Sequence, residues 1–385
     1  VSEYDLIVVG LGAAGSATLY QAARRGARVL GLDRHHPPHD QGSSHGETRI
    51  TRQGIGEGLE YVPLALRAHE LWREIEAETG ATLMRTVGGL TISRPGLGAV
   101  HHGKHDFLER TVEAARTFGV AHEVLTATEV RARWPQFRMG EHEQAYFEPG
   151  AGVLYPERCV AAQLVLAGRL GAHVRTGEPV LAVEPIAGGV RVMTGAGSYD
   201  AARAVVCAGA WTAGLLGGPW AETLSLYRQS LHWFAPADPA AFAPERCPVF
   251  IWMHGAGEGD WFYGFPREAD LGGVKIASEQ FATATTGPDA LDRTATRDEA
   301  LALHARHVAG RIEGLPARWL RSTACVYTQA PESRFLIGPD PGRENVTVVS
   351  ACSGHGFKHS AAIGEAVAGW MFTGEAPPVL APFAP

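Results

Sequence analysis

The sequence predicts an α/β fold: a Rossmann-type nucleotide-binding domain with an α+β domain threaded between its segments. Three observations predict it. The chain opens on an apolar run, Tyr4 to Val9, followed at once by Gly10-Leu11-Gly12-Ala13-Ala14-Gly15 and a helical pattern to about Arg25. A second apolar run, Arg28 to Leu32, ends at Asp33, 23 residues after Gly10. Runs that suit buried strands return much later, at Ala204 to Gly209 and Val346 to Ser350, with long stretches of other pattern between them.

The opening is a βαβ unit with a glycine fingerprint in its proper setting. Gly10 makes the tight turn, Gly12 lets a pyrophosphate reach the backbone, and Gly15 lets the helix pack on the strand. The helix N-terminus faces the phosphates, and Asp33 is placed to accept the ribose hydroxyls. The chain of 385 residues, 45% hydrophobic and 19% charged, is long enough for two or three domains and has the composition of a globular protein. Its net charge of −7, with no basic stripe, argues against nucleic-acid binding. Cys159, Cys207, Cys247, Cys325 and Cys352 lie far apart without a CxxC pair, which fits a reducing compartment rather than a disulfide framework or zinc site. The βαβ motif begins at Tyr4, so no signal peptide is expected, and the C-terminal residues carry no lipidation signal. The uncharged stretch Ala204 to Trp220 is broken by glycines and Pro219, so no membrane span is expected.

After Asp33 the regular βαβ pattern stops. His35 to Arg52 is a polar, glycine-rich loop whose histidines (His35, His36, His39, His45) lack metal-ligand spacing. An amphipathic helix is predicted from about Val62 to Thr79, and a strand from Gly88 to Ser93. Lys104, set among His101, His102 and His105, reads as surface at a helix start. Thr126-Ala127-Thr128-Glu129 is a capping box for a short helix stopped by Pro135. A helix from about Glu157 to Leu170 follows, then strands near His173, Pro179 to Val183 and Val190 to Thr194. The block Leu224 to Ile276 is aromatic and strand-like. A helical stretch, Arg297 to Ile312, precedes strands near Cys325, Phe335 and Val346 to Ser350, and a final helix reaches about Trp370. Only three of the 34 basic residues are lysines, Lys104, Lys275 and Lys358; the last two lie in apolar or glycine-rich surroundings. A lysine kept against such an arginine bias marks a place where a compact, tunable cation is wanted.

More specific runs span the chain: Gly42 to Arg52 (GSSHGETRITR), Tyr61-Val62-Pro63-Leu64, Tyr263-Gly264-Phe265-Pro266, Cys325-Val326-Tyr327-Thr328 and Ser353-Gly354-His355-Gly356-Phe357-Lys358. On these residues the sequence resembles the monomeric sarcosine oxidase and N-methyltryptophan oxidase family of FAD-dependent amine oxidases, over essentially its whole length. The resemblance implies FAD rather than NAD. It implies cofactor contacts at Gly10, Gly12, Gly15, Asp33, Ser43, Ser44, Val180, Gly209, Gly354 and Gly356, and a covalent link to the flavin through Cys325. A helix N-terminus near Gly356 would suit negative charge on a reduced flavin. Cys207 and Cys352 read as core residues.

The resemblance also implies a small amino acid substrate carrying a secondary amine. Arg52 and Lys358 match the carboxylate-binding pair, although Arg52 could instead pair with Glu47 or Glu57. Tyr263 and Tyr327 match aromatic residues beside the substrate, Lys275 the lysine that activates oxygen, and His45 and Arg49 further positive groups around the ring. One position departs: four residues after Lys275, where the family has a histidine near the amine, stands Glu279. The expected reaction is oxidation of an N-methyl amino acid such as sarcosine by O2, yielding H2O2 and formaldehyde. Alternatives are a larger secondary amine (N-methyltryptophan, pipecolate or a glycated amino acid) or an NAD(P)-linked dehydrogenase. The expected domains are 1–85, 150–215 and 320–385 for FAD and 86–149 and 216–319 for substrate. The expected protein is a cytoplasmic monomer without a metal, nucleic-acid or membrane partner.

Overall fold

The structure is a computed structural model that describes residues 3–385. Tyr4–Val9 lies between Val29–Asp33 and Gly197–Val206, parallel to both, and His173–Thr176 extends this order outside Val29–Asp33. The central strands are buried on both faces, which is why their residues read as unbroken apolar runs. Leu6 and Val8 face one core with the helices Ala13–Arg24, Val62–Thr79, Pro156–Arg169 and Ser360–Thr373; Ile7 and Val9 face a second core on the other side. The first and last of these helices approach closely because Gly364 has no side chain: a Cβ there would stand 2.4 Å from that of Ala17.

Gly197–Val206 is longer than the predicted strand. Its outer half pairs antiparallel with Gly189–Thr194 in a half-exposed hairpin, and its inner half pairs parallel with Val346–Ser350. Only the inner half carries the apolar run that marked it in the sequence. A second, mixed sheet of nine strands holds Gly89–Ser93, Val249–Met253, Trp261–Gly264 and Val274–Ala277, with Ser225–Phe234 paired along its length to Trp319–Gln329. A small sheet of Arg49–Thr51, Met84–Thr86 and Gly152–Leu154 lies apart from both. Strands of the first sheet come from the start, middle and end of the chain, and those of the second from the intervening segments and from Trp319–Gln329.

The helical stretch expected over Arg297 to Ile312 is shorter and less regular. A capping box at Thr296 and Glu299 starts an α-helix over Arg297–Leu303, which widens to a π-turn over His304–Val308. There His304 Nε2 bonds the Leu315 carbonyl at 2.8 Å, and Gly310, at φ +77°, lies just beyond the turn. Among the described residues no helix is long and apolar enough to cross a membrane.

Candidate active site

A cavity of about 560 Å³ opens outside the carboxyl ends of the parallel strands and runs to the second sheet. Its outer part is made by strand ends and turns: Gly10 and Gly12, Asp33, Ala208 and Gly209, and Val349 to Cys352. Glycines are needed here. Gly10 has φ +85°, and a Cβ on it would meet the Cys207 carbonyl at 2.6 Å; one on Gly15 would meet the Gly10 carbonyl at 1.7 Å. Asp33 is buried and doubly held: Oδ2 accepts from the Leu11 N–H and Oδ1 from the His35 N–H, both at 2.7 Å. Burial opposes its charge, but these bonds and His39 more than offset that and lower its pKa. The start of the helix Ala13–Arg24 lines the cavity, and its N-cap residue, Gly12, has no side chain to cap it. A stretch of bare backbone, a helix N-terminus and an ionised acid fit the pyrophosphate and ribose of a dinucleotide.

Ser43, Ser44, Val180, Gly209, Gly354 and Gly356 all reach the cavity wall, as do Arg49, Arg52, Tyr263, Tyr327, Glu279 and Lys358. The serine hydroxyls are engaged: Ser44 Oγ accepts from the Ala13 N–H at 3.2 Å, and Ser43 Oγ donates to the Val326 carbonyl. Gly356 opens the short turn Phe357–His359 that leads into Ser360–Thr373, and a Cβ there would meet the Ala351 carbonyl at 1.6 Å.

Gly15, His45, Lys275 and Cys325 do not form the wall. Gly15 acts in helix packing, as its spacing implies. Lys275 lies just behind the wall with its Nζ donating to the carbonyls of Gly46 and Thr48 at 2.8 and 2.7 Å and to Thr48 Oγ1 at 3.0 Å. Its Nζ also stands 4.5 Å from the centre of the Phe265 ring, which does line the cavity. Burial, then the neighbouring Arg49, pushes its pKa well below the usual lysine range. Cys325 is fully buried; burial raises its thiol to about 11, against the pull of Arg49 and Lys275. His45 is a correction: burial, then Arg49, lowers its pKa to about 3, so it is a neutral imidazole and not one of the positive groups. Arg49 is fixed by the carbonyls of Ser43, His45 and Thr48. Cys352 is a second correction: it is half-buried and lines the cavity, because the turn after Ser350 lifts it out of the core. Cys207 belongs both to the core and to the cavity wall.

The inner end holds a buried charge cluster. Arg52 Nη2 bridges both oxygens of Glu57 at 2.7 and 2.8 Å, and Nη1 donates to the Gly54 carbonyl. The arginine fork is thus turned to Glu57, one of the alternatives open in the sequence. Lys358 Nζ stands 3.6 Å from Glu57 and donates to the His355 carbonyl at 2.8 Å. Burial lowers Lys358 to about 8, with Glu57 acting the other way. Burial opposes ionisation of Glu57, but Arg52 and Lys358 hold its pKa well below the carboxylate range. Two cations against one carboxylate leave a single positive charge in surplus.

Glu279, at the departure position, is also buried. Its Oε2 stands 3.1 Å from His102 Nε2 without the alignment of a hydrogen bond, so that oxygen has no hydrogen-bond partner. Burial raises its pKa to about 8, opposed by a hydrogen bond with Tyr327. His102 is lowered to about 4, chiefly by burial. His101 and His102 are cavity residues that sequence reasoning missed. Their one signal was clustering with Lys104, and Lys104 is half-buried, tied to His101 by backbone bonds at 2.9 and 3.0 Å. Glu57, His102 and His355 present ligand atoms within 4.8 Å of one another. Arg52 and Lys358 already balance Glu57, so a further cation there would be repelled.

The family described as FAD dependent oxidoreductase matches residues 5–370. A monomeric sarcosine oxidase from Streptomyces avermitilis is 39% identical, the match covering 96% of this chain and 94% of the relative. An N-methyl-L-tryptophan oxidase from Salmonella heidelberg is 33% identical over 95% of this chain and 94% of its own. Among solved structures, an open form of NikD, an amino acid oxidase of nikkomycin biosynthesis, superposes with a TM-score of 0.84 at 25% identity, covering all of this chain and 98% of that one. With its fingerprint turn, its strand-end crevice and these matches over nearly its whole length, the chain belongs to the family of FAD-dependent oxidoreductases.

Proposed function

We propose that the protein oxidises a secondary amino acid of the N-methyl class, such as sarcosine, with O2 as final acceptor and H2O2 and formaldehyde as products. The observation that carries this reading is the inner-end cluster, where Arg52, Lys358 and Glu57 leave one positive charge in surplus at the end of the cavity remote from Asp33. Bound FAD supplies the acceptor for the hydride that leaves the carbon beside nitrogen. Lys358 meets the substrate carboxylate as a point charge, and Arg52 keeps Glu57 from cancelling it. Tyr263 and Tyr327 wall the space between clamp and cofactor. At the outer end Asp33 accepts ribose hydroxyls and the Gly10–Gly15 turn admits the pyrophosphate. Arg49, and the Lys275 amine beside it as it takes up a proton, favour negative charge developing on oxygen. We also read Cys325 Sγ as covalently attached to the flavin, supported by its place in the Cys325-Val326-Tyr327-Thr328 run, with Arg49 and Lys275 partly offsetting the burial that raises its thiol.

We place the domains at 1–85, 150–215 and about 330–385 against 86–149 and about 216–329; the expected boundary at 320 moves because Trp319–Gln329 pairs along its length with Ser225–Phe234 in the second sheet. A cytoplasmic location is the reading that five free cysteines support, and the relatives named monomeric sarcosine oxidase support a monomer. A second reading, a larger secondary amine such as N-methyltryptophan or pipecolate, is supported by the N-methyl-L-tryptophan oxidase relative, and Glu279 in place of the histidine changes the charge offered to the amine. A peroxide assay across sarcosine, N-methyltryptophan, pipecolate and glycated amino acids tests both. Peroxide release with at least one of them, without NAD(P), is expected. Turnover only with an added nicotinamide would overturn the oxidase reading.

A further inference from the structure

The inner end of the cavity is dipolar. Lys358 and Arg52 give it a positive side, tied down by Glu57. Glu279 gives it an acid on the other side, at the cavity wall and with one oxygen lacking a hydrogen-bond partner. His102 lies between the two carboxylates: one of its nitrogens comes within 4.8 Å of a Glu57 oxygen, and its Nε2 lies 3.1 Å from Glu279. Gly354 keeps the gap narrow, since a Cβ there would meet His102 at 2.9 Å and Glu279 at 3.0 Å. A buried acid with no cation of its own holds its proton until something cationic arrives to pair with it. Lys358, Arg52 and Glu279 all line this one end of the cavity, where the carboxylate and the nitrogen of a single α-amino acid would each find a group of opposite charge.

We infer that Glu279 is the specificity-determining counter-ion of the substrate nitrogen, so that this enzyme selects its amino acid as the zwitterion, carboxylate toward Lys358 and Arg52 and ammonium toward Glu279. The inference rests on the reading that this cavity end takes the substrate carboxylate. It concerns binding alone. The groups facing Glu279 are Tyr327, Tyr263, Cys325, His102, Glu57 and Lys358. Tyr263 and Tyr327 are pushed up by burial, Cys325 is raised to about 11 and His102 lowered to about 4, so these stay uncharged near neutrality. Glu57 stays ionised. That leaves Lys358 and Glu279, each near 8, as the groups that change charge.

Two isosteric carboxylates separate their effects. Dimethylsulfonioacetate carries a permanent positive charge where the substrate has nitrogen; 3-methylbutanoate has the same shape and no charge there. Lys358 acts on both alike, so its titration cancels in the ratio of their dissociation constants. Titrations of the holoenzyme, read by flavin absorbance, should show that ratio moving at least about tenfold toward the cationic ligand between about pH 6 and about pH 9. In Glu279→Gln, which keeps the shape, the ratio should stay within about threefold across that range. An equal rise in the parent and in Glu279→Gln, or no rise in the parent, would overturn the inference while leaving the clamp reading intact. Failure of 3-methylbutanoate to bind the parent would overturn the clamp reading and the inference with it.

Discussion

Lys275 shows how much of this site is decided by single residues. Its Nζ donates to Gly46 and Thr48 and sits between the Phe265 and Trp233 rings, 4.5 and 5.6 Å from their centres. Burial, then Arg49, pushes its pKa well below the usual lysine range, while three oxygen acceptors hold the amine in place. If that amine serves oxygen, Lys275→Met should slow reaction of the reduced enzyme with O2 on the order of 10²–10³, the usual loss for one preorganised group. Anaerobic reduction by substrate should change far less. Stopped-flow measurement of the two half-reactions checks this, and equal slowing of both would assign Lys275 to structure alone. A second expectation concerns pH. As pH rises through about 8, Lys358 loses a positive charge and Glu279 gains a negative one. Both changes disfavour an anion, so affinity for a simple carboxylate such as 3-methylbutanoate should fall steeply over that range, and less steeply in Glu279→Gln. Equilibrium titration across the range measures it; a flat profile would contradict both assignments.

At the scale of elements, the fingerprint turn is the most constrained piece. Gly15→Ala would set a methyl group 1.7 Å from the Gly10 carbonyl and prise the helix Ala13–Arg24 from its strand. Loss of bound flavin from the purified protein is expected, read by absorbance, and full flavin content in this variant would contradict the packing described. The strand Trp319–Gln329 carries the other expectation: after acid precipitation the yellow chromophore should stay with the protein and be lost to the supernatant in Cys325→Ser. Elements were legible where local chemistry determines them. The helix Val62–Thr79 was visible from its apolar spacing and the one at Ala127 from its capping box. His101 and His102 were not, because a loop histidine has no local mark of burial; the second sheet and Phe107, whose ring lies 4.3 Å from that of His101, bury it. Nor was the fate of the Arg52 fork, which depends on Glu57 being brought into the same enclosure.

For the whole molecule, the sheet built from both ends and the middle of the chain places the Gly10 turn, the Gly209 turn and the Gly354–Lys358 turn around one crevice, and the second sheet closes it with Tyr263, Glu279 and Tyr327. That arrangement makes sense only if a cofactor and a small charged molecule meet there. The most direct measurement is anaerobic mixing of the holoenzyme with sarcosine and other N-methyl or cyclic secondary amino acids while the flavin absorbance is followed, with air then admitted. The account predicts bleaching by at least one of these amino acids, then full recovery in air with one H2O2 formed per amino acid oxidised. A flavin that no secondary amino acid bleaches, or that only a reduced nicotinamide bleaches, would contradict it.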